Sequence, residues 1–90
     1  MWYVYILRCA DASLYTGITT NIHRRLKEHN SERLGSRYTR ARRPVEVIYF
    51  EESENRSSAS IREYEIKQKT RKEKLKLIQN ADKGFSQHQQ

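Results

Sequence analysis

The chain has one cysteine, Cys9, in 90 residues, which excludes an intrachain disulfide, a cysteine zinc cluster and a paired redox motif. A lone thiol on an expected strand reads as a small buried apolar group rather than a nucleophile. One proline and three glycines leave no Pro- or Gly-rich linker, and no repeat or low-complexity stretch interrupts the chain. Long hydrophobic runs are missing as well. The most apolar segment, MWYVYILRCA, is broken by Arg8 and preceded by no basic stretch, so it is far too short to span a bilayer and does not read as a secretory leader. A cytoplasmic protein is the expectation. Only 36% of the residues are hydrophobic and the mean hydropathy is -1.02. That is enough for one domain of modest stability, with no room for separate catalytic and regulatory domains or for a deep pocket around a large cofactor.

Acidic residues are in the minority, 11 against 18 Lys and Arg, for a formal net charge of +7 and a pI near 9.8. Such an excess on a short chain favours a polyanionic partner, nucleic acid ahead of anionic membrane. Membrane binding ranks last, because no helical segment joins a wide apolar face to flanking aromatics. The positive charge is concentrated. Between Arg24 and Arg43 eight Lys and Arg stand against Glu28 and Glu32, whereas Glu46 to Glu54 is acidic. Arginine forks match phosphate oxygens and release counterions on binding, so Arg33, Arg37, Arg40, Arg42 and Arg43, with Tyr38 lying among them, are the expected nucleic-acid contacts. A second basic run, from Arg62 to Lys76, reads as a solvated helical face.

Tyrosines and branched residues make Trp2 to Cys9 a strand, and Leu14 to Ile18 a second one across the turn residues Asp11 and Ser13. Thr19 and Thr20 offer hydroxyl caps to a helix through NIHRRLKEHN, which Asn30 can close. Residues 31 to 44 hold Gly35, Pro44 and five arginines without apolar periodicity, the pattern of a long basic loop that orders on binding. VEVIYF fits a third strand, and a second helix is expected from near Ser57 or Ser58 through ASIREYEIKQK. Thr70 and Glu73 match a capping box ahead of a short terminal helix carrying Leu75 and Ile78. The expected fold is α+β, a small three-stranded antiparallel sheet with an N-terminal hairpin, flanked by two to three helices. It forms a single domain over residues 1–80, followed by a polar, frayed tail over 81–90.

Several side chains sit where an apolar residue belongs. With Ile22 at 0° and about 100° per helical residue, Leu26 falls at about +40°, Arg25 at about -60° and His29 at about -20°. A guanidinium and an imidazole therefore share the core-facing stripe, while Arg24, Lys27 and Glu28 project elsewhere. On the second helix, with Ala59 at 0°, Glu63 falls at about +40° and Ile66 at about -20°, with Glu65 pointing away. A carboxylate there needs a cation or a metal, so Glu63 is either paired with an arginine such as Arg62 or Arg25 or is a metal ligand. Trp2, Tyr3, Tyr5 and Tyr15 gather aromatics in the hairpin, with Tyr3 and Tyr5 on one face. Gly17, closing the Tyr15, Thr16, Gly17 run, lets a backbone or ligand come close.

Through these residues the chain resembles the GIY-YIG nuclease family, in its small stand-alone bacterial form. The two signature tripeptides appear as Tyr3, Val4, Tyr5 and Tyr15, Thr16, Gly17. Arg25 and His29 follow Gly17 at the spacing of the family's helix motif, and Glu63 within IREYEIK matches its metal-binding glutamate. Tyr3 stands where the first glycine is usual, Thr16 replaces the usual isoleucine or valine, and Ile18 occupies a position some members fill with lysine. The match runs over roughly residues 2 to 78. SRYTRARRP, with Tyr38, Thr39, Arg43 and Pro44, is similar to a loop in the branch that includes the catalytic subunit of a eukaryotic junction endonuclease.

The resemblance implies hydrolysis of phosphodiester bonds in nucleic acid, DNA favoured and branched or structured DNA among the substrates. It implies a single Mg²⁺ or Mn²⁺ held by Glu63. Arg25 would stabilise transition-state charge, Tyr5 or Tyr15 would take the proton of the attacking water with a pKa lowered by the metal or by His29, and Gly17 would give backbone access. The competing readings are a nucleic-acid-binding module that keeps the scaffold without turnover, and a subunit that needs a protein partner.

Overall fold

The computed structural model describes residues 1–31 and 33–88, with side chains described as far as Ala81. β1 (Trp2–Arg8) and β2 (Leu14–Thr19) form the N-terminal hairpin, and β3 (Glu46–Ser53) adds to the other side of β1, so that the antiparallel order is β2-β1-β3. Tyr5 pairs with Gly17 on one side and Phe50 on the other, and a bulge between Ile6 and Leu7 shifts the β3 register. The turn closing the hairpin holds Ala12 at φ 68, a left-handed conformation that glycine adopts more cheaply than alanine.

Strand alternation gives β1 two cores. On one face Val4 and Ile6 pack with Ala59 and Ile66 of α3 (Arg56–Lys67) and Ile78 of α4 (Arg71–His88). On the other, Tyr5, Leu7 and Cys9 pack with Val45, and Tyr15 and Val47 join Ile22 and Leu26 of α1 (Ile22–His29) around them. Cys9 is buried, and burial raises its thiol pKa.

The helix starts differ from the expected ones. α1 is capped by Asn21, whose side chain accepts from the Arg24 N–H, while Thr19 stays in the strand and its hydroxyl accepts from the Asn21 N–H. A carboxamide reaches one turn ahead where a strand residue cannot. Asn30 closes α1 as expected. α3 begins after Asn55, not at Ser57 or Ser58, because Asn55 and Ser58 satisfy each other's backbone N–H groups in a capping box. Thr70 and Glu73 form the expected box ahead of α4. α4 runs on to His88, longer than the short helix expected; Gln89 and Gln90 of the expected tail lie outside the described residues.

The basic loop is not waiting for a ligand to order it. It contains α2 (Arg37–Arg40), capped by Ser36, whose side chain accepts from the Thr39 N–H. Three contacts tie the segment down. Asn30 holds Val45 through two side-chain bonds, to its N–H at 2.8 Å and its carbonyl at 3.1 Å. Gly35 lies so close to the end of α1 that a Cβ would stand 2.9 Å from His29 Cα. Thr39 is fully buried. Polar anchors of this kind leave no trace in apolar periodicity, which is why the loop reads as disordered from sequence.

Candidate active site

Tyr5 and His29 meet beneath the sheet face that α1 covers. The Tyr5 hydroxyl lies 2.8 Å from His29 Nε2, and His29 Nδ1 lies 2.8 Å from Thr39 Oγ1. His29 and Thr39 are 0% exposed and Tyr5 is 2% exposed. The inward aim of His29 therefore holds, and both of its nitrogens are satisfied, as burial of an imidazole requires. Tyr15 sets its ring edge-on to His29 at 5.2 Å and lies 6.5 Å from the Tyr5 ring.

What comes close to Gly17 is Tyr5 itself. A Cβ on Gly17 would stand 2.5 Å from the Tyr5 hydroxyl oxygen and 2.7 Å from Cζ. Because that hydroxyl is held by His29, it cannot swing aside without losing its partner. The glycine serves the packing of an internal phenol, not the open backbone access expected of it.

Arg25 is half-buried, donates to Glu28 at 2.8 Å and to the Leu34 carbonyl at 3.1 Å, and faces the Tyr5 hydroxyl closely enough to favour its anion. Glu63 pairs with neither Arg62 nor Arg25. Its partner is Lys67, one turn on at 3.3 Å, while Arg62 is drawn to Glu51 and Glu65. β3 places Glu51 beside α3, a long-range contact that helical spacing could not reveal. The Glu63 side chain remains 23% exposed, and its charge is felt at the Tyr5 hydroxyl.

Burial pushes the Tyr5 pKa up to about 12, against the opposing pull of Arg25. The expected lowering of a tyrosine pKa is thus reversed for Tyr5 in the chain alone. Burial, aided by the Arg25 charge, holds His29 at about 4, so the imidazole is neutral at physiological pH and keeps one ring lone pair that accepts a hydrogen bond.

The basic loop divides in two. Arg42 donates to Asp11 at 3.0 Å and to the Tyr38 carbonyl at 2.9 Å, with its guanidinium 3.9 Å from the Tyr38 ring centroid. Tyr38 in turn stacks on Tyr15 at 5.9 Å. Arg43 donates to the carbonyls of Arg40 and Asn30. Arg42 and Arg43 therefore brace the loop, and Arg33, Arg37 and Arg40 are exposed and make no ion pair among the described residues. An open apolar groove lined by Tyr3, Ile22, Leu26, Val47 and Phe50 borders α1 and β3, and none of the polar site residues line it.

The GIY-YIG catalytic domain profile matches residues 1–76. The chain belongs to the GIY-YIG family. GIY-YIG membership implies a nuclease-type function on nucleic acid. The chain is 58% identical to a UPF0213 protein of Desulfotalea psychrophila over 94% of its own length and 77% of the relative's. It is 55% identical to a UPF0213 protein of Clostridium perfringens, covering 87% of this chain and 83% of that one. The solution NMR structure of a UPF0213 protein from Bacillus halodurans is similar with a TM-score of 0.56 at 41% identity, over 88% of this chain and 84% of that one. No helix among the described residues of this GIY-YIG domain is long and apolar enough to cross a membrane.

Sequence reasoning missed Thr39 as the partner of His29, Ser36 as the partner of Thr39, Asp11 as the anchor of Arg42, and Lys67 as the partner of Glu63. Thr39 stands in the loop that resembles the junction-endonuclease branch, but nothing local marks its hydroxyl as buried. The i,i+4 spacing of Glu63 and Lys67 was a usable signal.

Proposed function

We propose that this protein is a divalent-metal-dependent endonuclease that hydrolyses phosphodiester bonds in DNA, with branched or structured DNA as the favoured substrate. The observation that carries the reading is the buried Tyr5 hydroxyl with a neutral imidazole 2.8 Å away. Hydrolysis by water needs a group that takes its proton as the new P–O bond forms. Tyr5, with a pKa near 12, is protonated and cannot take a proton unless it gives one up. His29 Nε2 stands where that second proton goes. As the water's proton reaches Tyr5 Oη, the phenolic proton passes to Nε2, the P–O bond to the leaving strand breaks, and the departing oxygen takes a proton from solvent, to which His29 returns its own through Tyr5. Of the two tyrosines, Tyr5 is the base in this scheme, and Tyr15 walls the imidazole.

Glu63 would hold a Mg²⁺ or Mn²⁺ ion. Among the described residues no group of three His, Cys, Asp or Glu comes together, and Glu63 itself offers a hard carboxylate that is partly open and paired with an exposed lysine. That suits an ion that keeps its waters and shares substrate phosphate oxygens. When bound, the ion supplies Lewis-acid stabilisation of the phosphate and the leaving oxygen. Arg25, pinned by Glu28, would oppose charge built up on the phosphoryl oxygens. Arg33, Arg37 and Arg40 carry the flanking phosphates. DNA is favoured over RNA on the resemblance of residues 36–44 to the junction-endonuclease loop.

The test is a cleavage panel of branched, duplex and single-stranded DNA and RNA with Mg²⁺, Mn²⁺ or chelator, run on the natural chain and on Glu63→Gln. The expected result is metal-dependent cleavage by the former, and binding without cleavage by the latter. Equal cleavage by both would contradict it.

A further inference from the structure

We propose that Thr39 is a positioning residue that fixes the tautomer of His29, so that the Nε2 lone pair is turned onto the Tyr5 hydroxyl and the loop between α1 and β3 forms part of the proton relay. The proposal rests on the nuclease reading for its catalytic consequence, but the tautomer itself follows from hydrogen-bond accounting alone.

A neutral imidazole has one nitrogen that donates and one that accepts, and the partner of each decides which is which. Thr39 Oγ1 has a single hydrogen. It lies 3.2 Å from the Ser36 carbonyl, which only accepts, and it donates there. Ser36 Oγ stands 3.0 Å from the same hydroxyl, so its hydrogen can fill one of the two Thr39 lone pairs while its oxygen accepts the Thr39 N–H at 3.1 Å. The remaining lone pair faces His29 Nδ1 at 2.8 Å, so Nδ1 carries the proton. With one donation and two acceptances the threonine hydroxyl is fully used.

The other end of the chain gives the same answer independently. The Tyr5 hydroxyl is buried and must donate to something. Arg25, its charged neighbour, has only donors to offer. Among the described residues His29 Nε2 is the acceptor within hydrogen-bond distance. Were Nε2 the protonated nitrogen, the phenolic hydrogen would be left buried without a partner, at the full desolvation cost of a polar group. Ser36, Thr39, His29 and Tyr5 therefore form a line with one direction of donation, from Tyr5 to His29 to Thr39 to the Ser36 carbonyl. A threonine in an otherwise arginine-rich, exposed segment is wholly buried for this purpose.

The direct test is histidine ¹⁵N NMR of the labelled full chain at pH 7, where an unprotonated ring nitrogen resonates far downfield of a protonated one. The expected spectrum shows His29 with Nε2 unprotonated and Nδ1 protonated; the opposite assignment overturns the proposal without recourse to any variant. Thr39→Val keeps the shape and removes the acceptor, leaving Tyr5 alone to bias the ring, so the two ring ¹⁵N shifts should move toward each other as the Nε2-protonated form gains population, while Thr39→Ser should restore the natural spectrum. Ring ¹⁵N shifts in folded Thr39→Val identical to those of the natural chain would also overturn it, since Thr39 would then add nothing to the bias from Tyr5. In single-turnover cleavage Thr39→Val should lower the rate constant about tenfold or more with substrate binding unchanged, and Thr39→Ser should recover it. The expected tautomer in a chain that cleaves nothing would instead uphold the positioning role and overturn the nuclease reading, which separates the two failures.

Discussion

The two faces of the sheet are built on opposite principles from alternate residues of one strand. Val4 and Ile6 point into an aliphatic core with Ala59, Ile66 and Ile78, whereas Tyr5 and Leu7 point toward a face in which His29 and Thr39 are also wholly buried. The aliphatic face is held by apolar area, which is non-directional and forgiving of small shifts. The polar face is held by hydrogen bonds that must all be made at once, because an unmatched buried donor costs more than a made bond contributes. Its order is therefore specific, and specificity of that kind places a proton acceptor within 2.8 Å of a phenol. The one buried side-chain polar atom without a partner among the described residues, Thr16 Oγ1, lies on the aliphatic side, so the polar side is the better satisfied of the two.

If that division is right, damage to one face should not read out on the other. The largest effect on stability is expected from Ile66→Ala, which empties a fully buried position. It should lower the free energy of unfolding by about 2–5 kcal/mol, seen as a lower denaturation midpoint, while cleavage per folded molecule stays unchanged. A loss of turnover in molecules still folded would show that the faces are coupled.

The next effect belongs to the polar face and depends on pH. His29 takes up a proton near its ordinary 6.5 when unfolded but only at about 4 when folded. Between those values the unfolded chain binds more protons, so stability rises with pH across the window and is lost as pH falls from about 6.5 to 4, by roughly 3 kcal/mol at most. Asp11, held low by the Ser13 hydroxyl, and Glu28, held low by Arg25, add losses of the same sign further down. Denaturation midpoints measured at several pH values should show the slope in the natural chain, and His29→Gln should flatten it above pH 5. An equal slope in both would place its source elsewhere.

The smallest effect is the control outside both faces. Ala12 holds a left-handed conformation in the hairpin turn, so Ala12→Gly relieves backbone strain while adding freedom to the unfolded chain. The net gain should be up to about 1 kcal/mol by chemical denaturation, with neither cleavage nor the pH slope altered.

How much of this was legible in the sequence follows the same divide. Strand alternation and helical spacing are local signals, and they located the three strands, α1, α3 and the inward position of His29, whereas Glu63 is only half-buried and paired with Lys67. The partners were not legible where they come from far along the chain. Nothing near His29 in sequence announces a threonine ten residues on, and nothing near Arg42 announces Asp11 across the hairpin. Arginine count marked residues 31–44 as a phosphate surface, yet two of those arginines are spent bracing the loop. Counting charge cannot separate a guanidinium that waits for phosphate from one that has already found a carbonyl.

The central claim is that the buried Tyr5 hydroxyl takes the proton of the attacking water and passes its own to His29. Single-turnover cleavage by Tyr5→Phe, beside the natural chain and Tyr15→Phe, tests it most directly, because phenylalanine keeps the ring in place and removes only the oxygen. Tyr5→Phe should be folded and slower by about a hundredfold or more, and Tyr15→Phe should be affected far less. Cleavage by Tyr5→Phe at the natural rate, or a greater loss in Tyr15→Phe, would contradict the account.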